Sequence, residues 1–458
     1  MQKLNDICFC EAKANSGDEF VGIRCVKSND GKYETRIDFP LGYFKGDIAI
    51  RESTEDAVRE NVMNLFAVLS DADLMSKVRE DSSIAAMLEE MKTTAFPMLA
   101  YLNIIRNYLD NGYITEREVE YKRKAHGKVN WNRTIKMTKP VIDEDESNLV
   151  YLDLIARKVN YNEDCLITLV HKFCVHDALN RLGFLFGIEP TEEPILDFDY
   201  ELFCSAVNAK LSKTFNDRDL RLLADLAKII EFLAEHQTED GINSEFTFGV
   251  NKFAPVWEAM VDKIFGTVSR EEKRDKYNPH LKFVANGSSN PDGEKYQDDD
   301  NDETDEEHKR STLRPDTIMV VGEDVFILDS KYYKYGLNGE PRYLPGANSV
   351  CKQMAYAEYV EKGRGVNSEC IFNAFVMPYC VEADNRKLPP DADSETRPLK
   401  MRYTGYIYGD WKKVPDANHP YHKIACILLD LKSVMECYTS SLNARAVLAD
   451  LISSKVKS

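Results

Sequence analysis

The chain has 458 residues, 43% of them apolar, which is enough to bury substantial cores and to divide into two or three domains. Its net charge of −18 argues against a surface that grips nucleic acid by general attraction, so any hold on a polyanion must come from local basic surface or from a partner. No run of 18 apolar residues occurs, the opening MQKLNDICFCEAK lacks the basic-then-apolar order of a signal peptide, and most of the eleven cysteines sit in apolar settings such as Cys174, Cys370, Cys380 and Cys426. These features predict a cytoplasmic chain with reduced thiols and no membrane contact.

In chain order, Phe20 to Val26 and Tyr33 to Asp38 read as strands joined by the turn residues Ser28-Asn29-Asp30-Gly31. Ser53-x-x-Asp56 resembles a capping box, and Val58, Val62, Leu65, Phe66 and Leu69 follow at helical spacing. A further helical stretch from Ser83 to Asp110 is broken or kinked at Pro97. Cys8-x-Cys10 has no second pair at zinc-ribbon spacing. Arg117 to Lys139 carries eight Lys/Arg against two Glu, the most basic stretch of an acidic chain, with Tyr121 and Trp131 interleaved. Lys122, Arg123, Lys124, Lys128, Trp131 and Arg133 are therefore candidate contacts to phosphates or to an acidic partner surface; the alternative is a solvated ribbon with Trp131 in the core. Residues 1–145 are read as an amino-terminal β/α domain.

Glu163 to Gly187, Asp199 to Leu211 and Arg218 to His236 read as helices, making 146–240 a helical connector. His171 and His176, five apart, fall on different helix faces and do not form a metal pair there. The region 241–458 begins with a helix from Lys252 to Phe265 whose stripe is Phe253, Trp257, Met260 and Ile264, with Glu258 on an apolar flank that calls for a reason. An acidic insertion, 286–311, follows; Asp292 to Arg310 alone carries a net −7 and reads as a disordered loop able to mimic DNA.

Leu313 to Tyr335, LRPDTIMVVGEDVFILDSKYYKY, organises this region. Two β-rich runs, Ile318 to Val321 and Val325 to Leu328, flank the turn Gly322-Glu323-Asp324. A hairpin pivoting there sets Asp316 beside Asp329 and Ser330, and side-chain alternation puts Asp329 and Lys331 on one face. Two carboxylates, with a main-chain carbonyl such as that of Ser330, suit a hard cation such as Mg2+; Lys331 would orient or help activate water and offset charge in phosphodiester hydrolysis. Read without chemistry, the same residues are a turn aspartate and an exposed strand-end ion pair. Asn348 to Glu361 then reads as a helix presenting Lys352, Gln353 and Tyr356, followed by strands at Cys370 to Met377, Tyr403 to Tyr408 and Ile424 to Leu429 and a helix from Ser433 to Ile452.

Pro315-Asp316 with Asp329-Ser330-Lys331 resembles the PD-(D/E)XK nuclease signature, and LRPD, ILDSKYY and LPGANSVCKQMAYAEYV together resemble McrC-type subunits and, more closely, LlaJI-type restriction endonucleases; GKVNWNRTIK, Gly127 to Lys136, shares the likeness. The resemblance implies an α/β fold, with a restriction-endonuclease-like core in the carboxy-terminal half preceded by a small β-containing domain and a helical connector. It implies Asp316 and Asp329 as metal ligands, Glu258 as an outer ligand acting through water, Lys331 as the catalytic lysine, and Gln353 as a residue holding the lysine or the DNA backbone. Tyr356 arrives one residue earlier than in the Q-x-x-x-Y pattern. The sequence has no G-x-x-x-x-G-K-[ST] and no readable recognition helix. The likeness therefore implies double-stranded DNA as substrate and a McrB-like AAA+ GTPase as partner, within a higher-order complex. Other readings are a non-cutting assembly protein that stimulates a motor and a RecB-like exonuclease.

Overall fold

The computed structural model describes residues 4, 7–11, 20–28, 33–44, 54–71, 73–75, 96–123, 128–142, 149–162, 165–238, 241–283, 294–295, 313–381, 399–412, 414, 416–437 and 442–457. They form two units, one of Met1–Asp6 with Thr94–Glu245, the other of Ile7–Thr93 with Phe246–Ser458. This division differs from the boundaries near 145 and 240 that the sequence suggests, and the reason is a strand pairing. In the second unit β1 (Cys8–Glu11), β2 (Val21–Lys27) and β3 (Tyr33–Phe39) build a sheet in the order β1-β3-β2-β11, completed by β11 (Phe246–Val250) from far along the chain. β2 and β11 are antiparallel, with Gly22 opposite Gly249. Both have positive φ, +145° and +159°, and a Cβ on either would run into the facing main chain, at Phe248 O or Val21 O. Helix α1 (Glu55–Leu69), capped by Thr54 Oγ1 accepting from Ala57 N, sets Phe66 edge-on against Phe248; Ser53 lies outside the described residues.

The same unit carries the central sheet, ordered β14-β15-β16-β18-β17 from β14 (Thr317–Val321), β15 (Asp324–Ser330), β16 (Ile371–Tyr379), β17 (Met401–Ile407) and β18 (Ile424–Asp430). The three inner strands β15, β16 and β18 are parallel, and the two edge strands run antiparallel to their neighbours. Every residue of β16 and β18 is buried, as expected of parallel strands covered on both faces. Helix α10 (Ala347–Arg364) makes the crossover from β15 to β16 and buries Val350, Met354, Ala357 and Val360. Helices α7 (Ala254–Phe265) and α12 (Leu442–Lys457) pack on the sheet as well. Arg445 donates to the carbonyls of Ile264 and Gly266 at 3.0 and 2.8 Å, satisfying the end of α7. The predicted closing helix is two, α11 (Leu431–Cys437) and α12. Of the acidic insertion, β13 (Glu294–Lys295) pairs with β12 (Lys282–Phe283), and the remainder lies outside the described residues.

The other unit packs α2 (Met98–Asn111), which begins directly after Pro97, with α4 (Leu166–Leu182), α5 (Tyr200–Leu211) and α6 (Asp217–Glu235). The start of the stretch read as a helical connector is a strand instead: β8 (Ile155–Asn162) pairs with β4 (Glu116–Arg123) and β5 (Lys128–Val129). Thr134 in the short helix α3 (Trp131–Met137) accepts from Ile155 N at 3.0 Å. His171 is buried in α4, where Nδ1 accepts from Ile114 N at 3.0 Å; His176 hydrogen-bonds Thr191 O instead, so the two are apart as predicted. Among the described residues no helix is long and apolar enough to cross a membrane.

Two outcomes follow from these contacts. Gly249→Ala drives a Cβ into the β2 main chain and should cost at least about 2 kcal/mol, read from the urea midpoint. Burial lowers the His171 pKa from 6.5 to about 4, so folding favours the neutral ring. The stability this gives is complete above pH 6.5 and is lost as pH falls toward 4, about 3 kcal/mol in all. His171→Gln should accordingly flatten the melting temperature between those pH values relative to the wild type.

Candidate active site

The central hairpin closes through Gly322-Glu323, with Gly322 at φ +63° and Val321 paired with Asp324. Asp324 is thus the first strand residue and not part of the turn. That register continues to Thr317 opposite Leu328, which brings Asp316 to Asp329 and Ser330 as a hairpin pivoting at the turn predicts. Ser330 N donates to Asp316 Oδ2 at 2.8 Å, so a side chain extends the ladder one step beyond the strand. Lys331 N continues the pairing to β16 by donating to Val376 O at 2.9 Å. On the shared face the Lys331 Nζ stands 2.6 Å from Asp329 Oδ2. The group lies at the carboxyl end of the parallel strands, where open α/β sheets place their chemistry.

Charge is crowded here. Burial raises the Asp316 pKa well above the carboxylate range, and Glu258 and Asp329 raise it further against the opposing pull of Lys331 and the Ser330 N–H. Glu258 on α7 therefore adds its charge to the field at the hairpin carboxylates. For Lys331 burial opposes the charged form, but Asp316 and Asp329 outweigh it and hold the ammonium protonated. Asp329 is 7% exposed, and its Oδ2 has the Lys331 ion pair without a hydrogen bond of good geometry. A carboxyl whose proton affinity is raised by two neighbouring carboxylates, beside one such atom, fits a hard divalent cation, which would relieve the repulsion.

Gln353 is fully buried and donates to Ile327 O at 2.6 Å, with Ala374 O at 3.5 Å, so it bridges the β15 and β16 main chains under the site. Tyr356, one turn on, donates to Arg314 O at 2.7 Å; burial raises its pKa and Asp316 and Asp329 add to that, which puts the phenol within the field of the site. Lys273, in α8 (Arg270–Lys276), was not singled out by sequence. It donates to Asp316 O at 2.7 Å and pairs with Asp262 at 3.0 Å. Asp262 follows Glu258 by four residues, the helical spacing that could have linked them. In the other unit, Trp131 is 56% exposed and not in the core. Lys122 and Lys128 are exposed, Lys122 pairing with Glu120. Arg123 donates to Met137 O, and Arg133 stacks 3.8 Å over Tyr121. Lys124 lies outside the described residues.

The family model of the LlaJI restriction endonucleases matches residues 47–389. The type II restriction enzyme BsuMI component YdjA of Bacillus subtilis (strain 168) is 26% identical over 344 residues, covering 72% of this chain and 67% of that protein. A half-complex from the assembly of Thermococcus gammatolerans McrB AAA+ hexamers with bound McrC is 14% identical at a TM-score of 0.31, over 93% of this chain and 82% of that one, too distant to carry an argument.

Because Asp316 holds its proton more tightly in the fold, its contribution is present at low pH and is lost as pH rises above the unfolded value of 3.8. Asp316→Asn keeps an acceptor for Ser330 N and removes the repulsion. It should raise stability at pH 7 by about 0.5–2 kcal/mol, with no gain below pH 3.8, in paired denaturation curves.

Proposed function

The chain belongs to the LlaJI restriction endonuclease family, and on that premise we propose that it is the DNA-cutting subunit of a cytoplasmic restriction system, a Mg2+-dependent endonuclease of PD-(D/E)XK type acting on double-stranded DNA. The observation that carries this reading is the convergence of Asp316, Asp329 and Lys331 at the end of one hairpin, facing Glu258. Asp316, Asp329 and the Ser330 carbonyl would hold Mg2+, with Glu258 reaching it through water. The bound cation supplies charge neutralisation at the scissile phosphate and acidifies water.

The chain's own groups define the remaining steps. Lys331, kept charged by its two carboxylates, donates hydrogen bonds to the attacking water and to a phosphoryl oxygen, stabilising the negative charge that grows as water adds and the bridging oxygen leaves. An ammonium held in this way is a poor base, so the water's proton passes to bulk solvent or to a phosphate oxygen. Gln353 and Lys273 act as positioning residues through the main chain of Ile327 and Asp316. Lys122, Arg123, Lys124, Lys128, Trp131 and Arg133 are proposed to touch DNA or the motor. The overall charge of −18 disfavours unaided binding, which supports dependence on a McrB-like AAA+ GTPase.

The test is cleavage of closed circular plasmid in Mg2+, with and without the co-purified motor and GTP. Wild type should cut, and Asp329→Ala should fall by at least about 1000-fold while remaining folded. If neither protein cuts but both stimulate the partner's GTPase, the chain is a scaffold.

A further inference from the structure

Asp416, His419 and His422 lie in the connection from β17 to β18, at the amino end of β18 and so at the end of the sheet opposite the hairpin carboxylates. Register shows the separation: Ile424, two residues after His422, pairs with Asn373, whereas Ser330 pairs with Val376. The backbone explains why residues three apart meet here. His419 N donates to Asp416 O at 3.2 Å and His422 N to His419 O at 3.0 Å, consecutive i to i+3 turns in which side chains at that spacing stack on one side. The two imidazoles are indeed stacked, with ring centroids 5.1 Å apart and planes 13° from parallel.

Asp416 Oδ1 accepts from Asn418 N at 3.0 Å, which fixes the carboxylate and leaves Oδ2 to the rings. That oxygen is 2.9 Å from His419 Nδ1 and 3.9 Å from His422 Nδ1. An ordinary aspartate–histidine pair accounts for the first contact and strands the second, because His422 Nδ1 is sealed from solvent with no hydrogen-bond partner. One donor atom from each of the three residues lies within 4.8 Å of the others. A tetrahedral ion with bonds of about 2.1 Å needs donors roughly 3.4 Å apart, between the two observed spacings. The far side of His419 is also furnished: Glu361 Oε1 stands 3.9 Å from Nε2, and Glu361 Oε2 accepts from Tyr421 OH at 2.6 Å.

We propose that Asp416, His419 and His422 form a second metal site that binds one Zn2+-class ion, with water in the fourth position and Glu361 orienting His419 from behind. Two imidazoles with one carboxylate select against Mg2+ and Ca2+ and for zinc or its neighbours. With Nδ1 turned to the ion, His419 would present Nε2 to Glu361, the carboxylate–histidine–metal arrangement. The ion would fasten the β17–β18 connection to α10 through Glu361, on the helix that also carries Gln353 and Tyr356.

The experiment is calorimetric titration of the full chain with Zn2+ in excess Mg2+, alongside His419→Ala/His422→Ala, Asp416→Asn, Glu361→Gln, Cys8→Ser/Cys10→Ser and Asp329→Ala. One ion per wild-type chain is expected, with a rise in melting temperature. Affinity should fall at least about 100-fold in the double histidine variant and about 10-fold in Glu361→Gln, and stay unchanged in the cysteine and Asp329 variants. Co2+ should give a visible spectrum without a thiolate charge-transfer band. Asp416→Asn is a near-isosteric change that keeps the proposal testable should the histidine variant misfold. No zinc binding by wild type, binding that survives both the histidine and Asp416 changes, or binding lost in the cysteine or Asp329 variant instead would each overturn it.

Discussion

Repulsion among carboxylates sets the terms for the rest of this molecule. Burial already disfavours the charged form of Asp316, Glu258 and Asp329 are held where each makes it harder still for Asp316 to ionise, and Lys331 lies within direct reach of Asp329. Left to itself such a group would spread into water. It is kept together because its backbone is not free to move: β15 sits between β14 and the wholly buried β16, and a residue at the end of such a strand has little freedom to choose another position.

The supports act on main chain more than on the reactive side chains. Gln353 holds the carbonyls of two neighbouring strands, Lys273 holds the carbonyl of Asp316 itself, and Tyr356 holds that of Arg314 two residues earlier. Ser330 contributes its N–H to the Asp316 carboxylate. An arrangement of this kind fixes the carboxylates while taking up a single lone pair of Asp316 through Ser330 N, which leaves further oxygen lone pairs for a cation.

The hairpin was legible because strand alternation and a glycine turn are local signals, and the Glu258 flank was legible because one polar residue interrupted an apolar helical face. In the amino-terminal sheet the β2–β3 hairpin was equally local, but the strand on the other side of β2 was not legible, since it is the five-residue run Phe246–Val250, more than 200 positions away. Nor does a lone basic ribbon declare which side faces water, and Trp131 turned out to face it. For Gln353 a motif gives spacing but not depth, and its burial beneath the sheet is a tertiary fact. The Asp416, His419, His422 spacing gives no α-helical signal, because this turn follows a three-residue period.

The pairing of β2 with β11 also has a meaning in time. Residues 94–245 are interposed within the unit formed by 7–93 and 246–458, so a ribosome delivers β2 and β3 long before the strand that covers the edge of β2. Until residue 250 emerges, that edge is an open template, and the glycine at its centre carries no side chain to discourage a foreign strand. The interposed unit, complete in its own helices, can fold during that interval. The nascent chain thus carries one finished body and one unsealed sheet for as long as synthesis of the stretch between them takes.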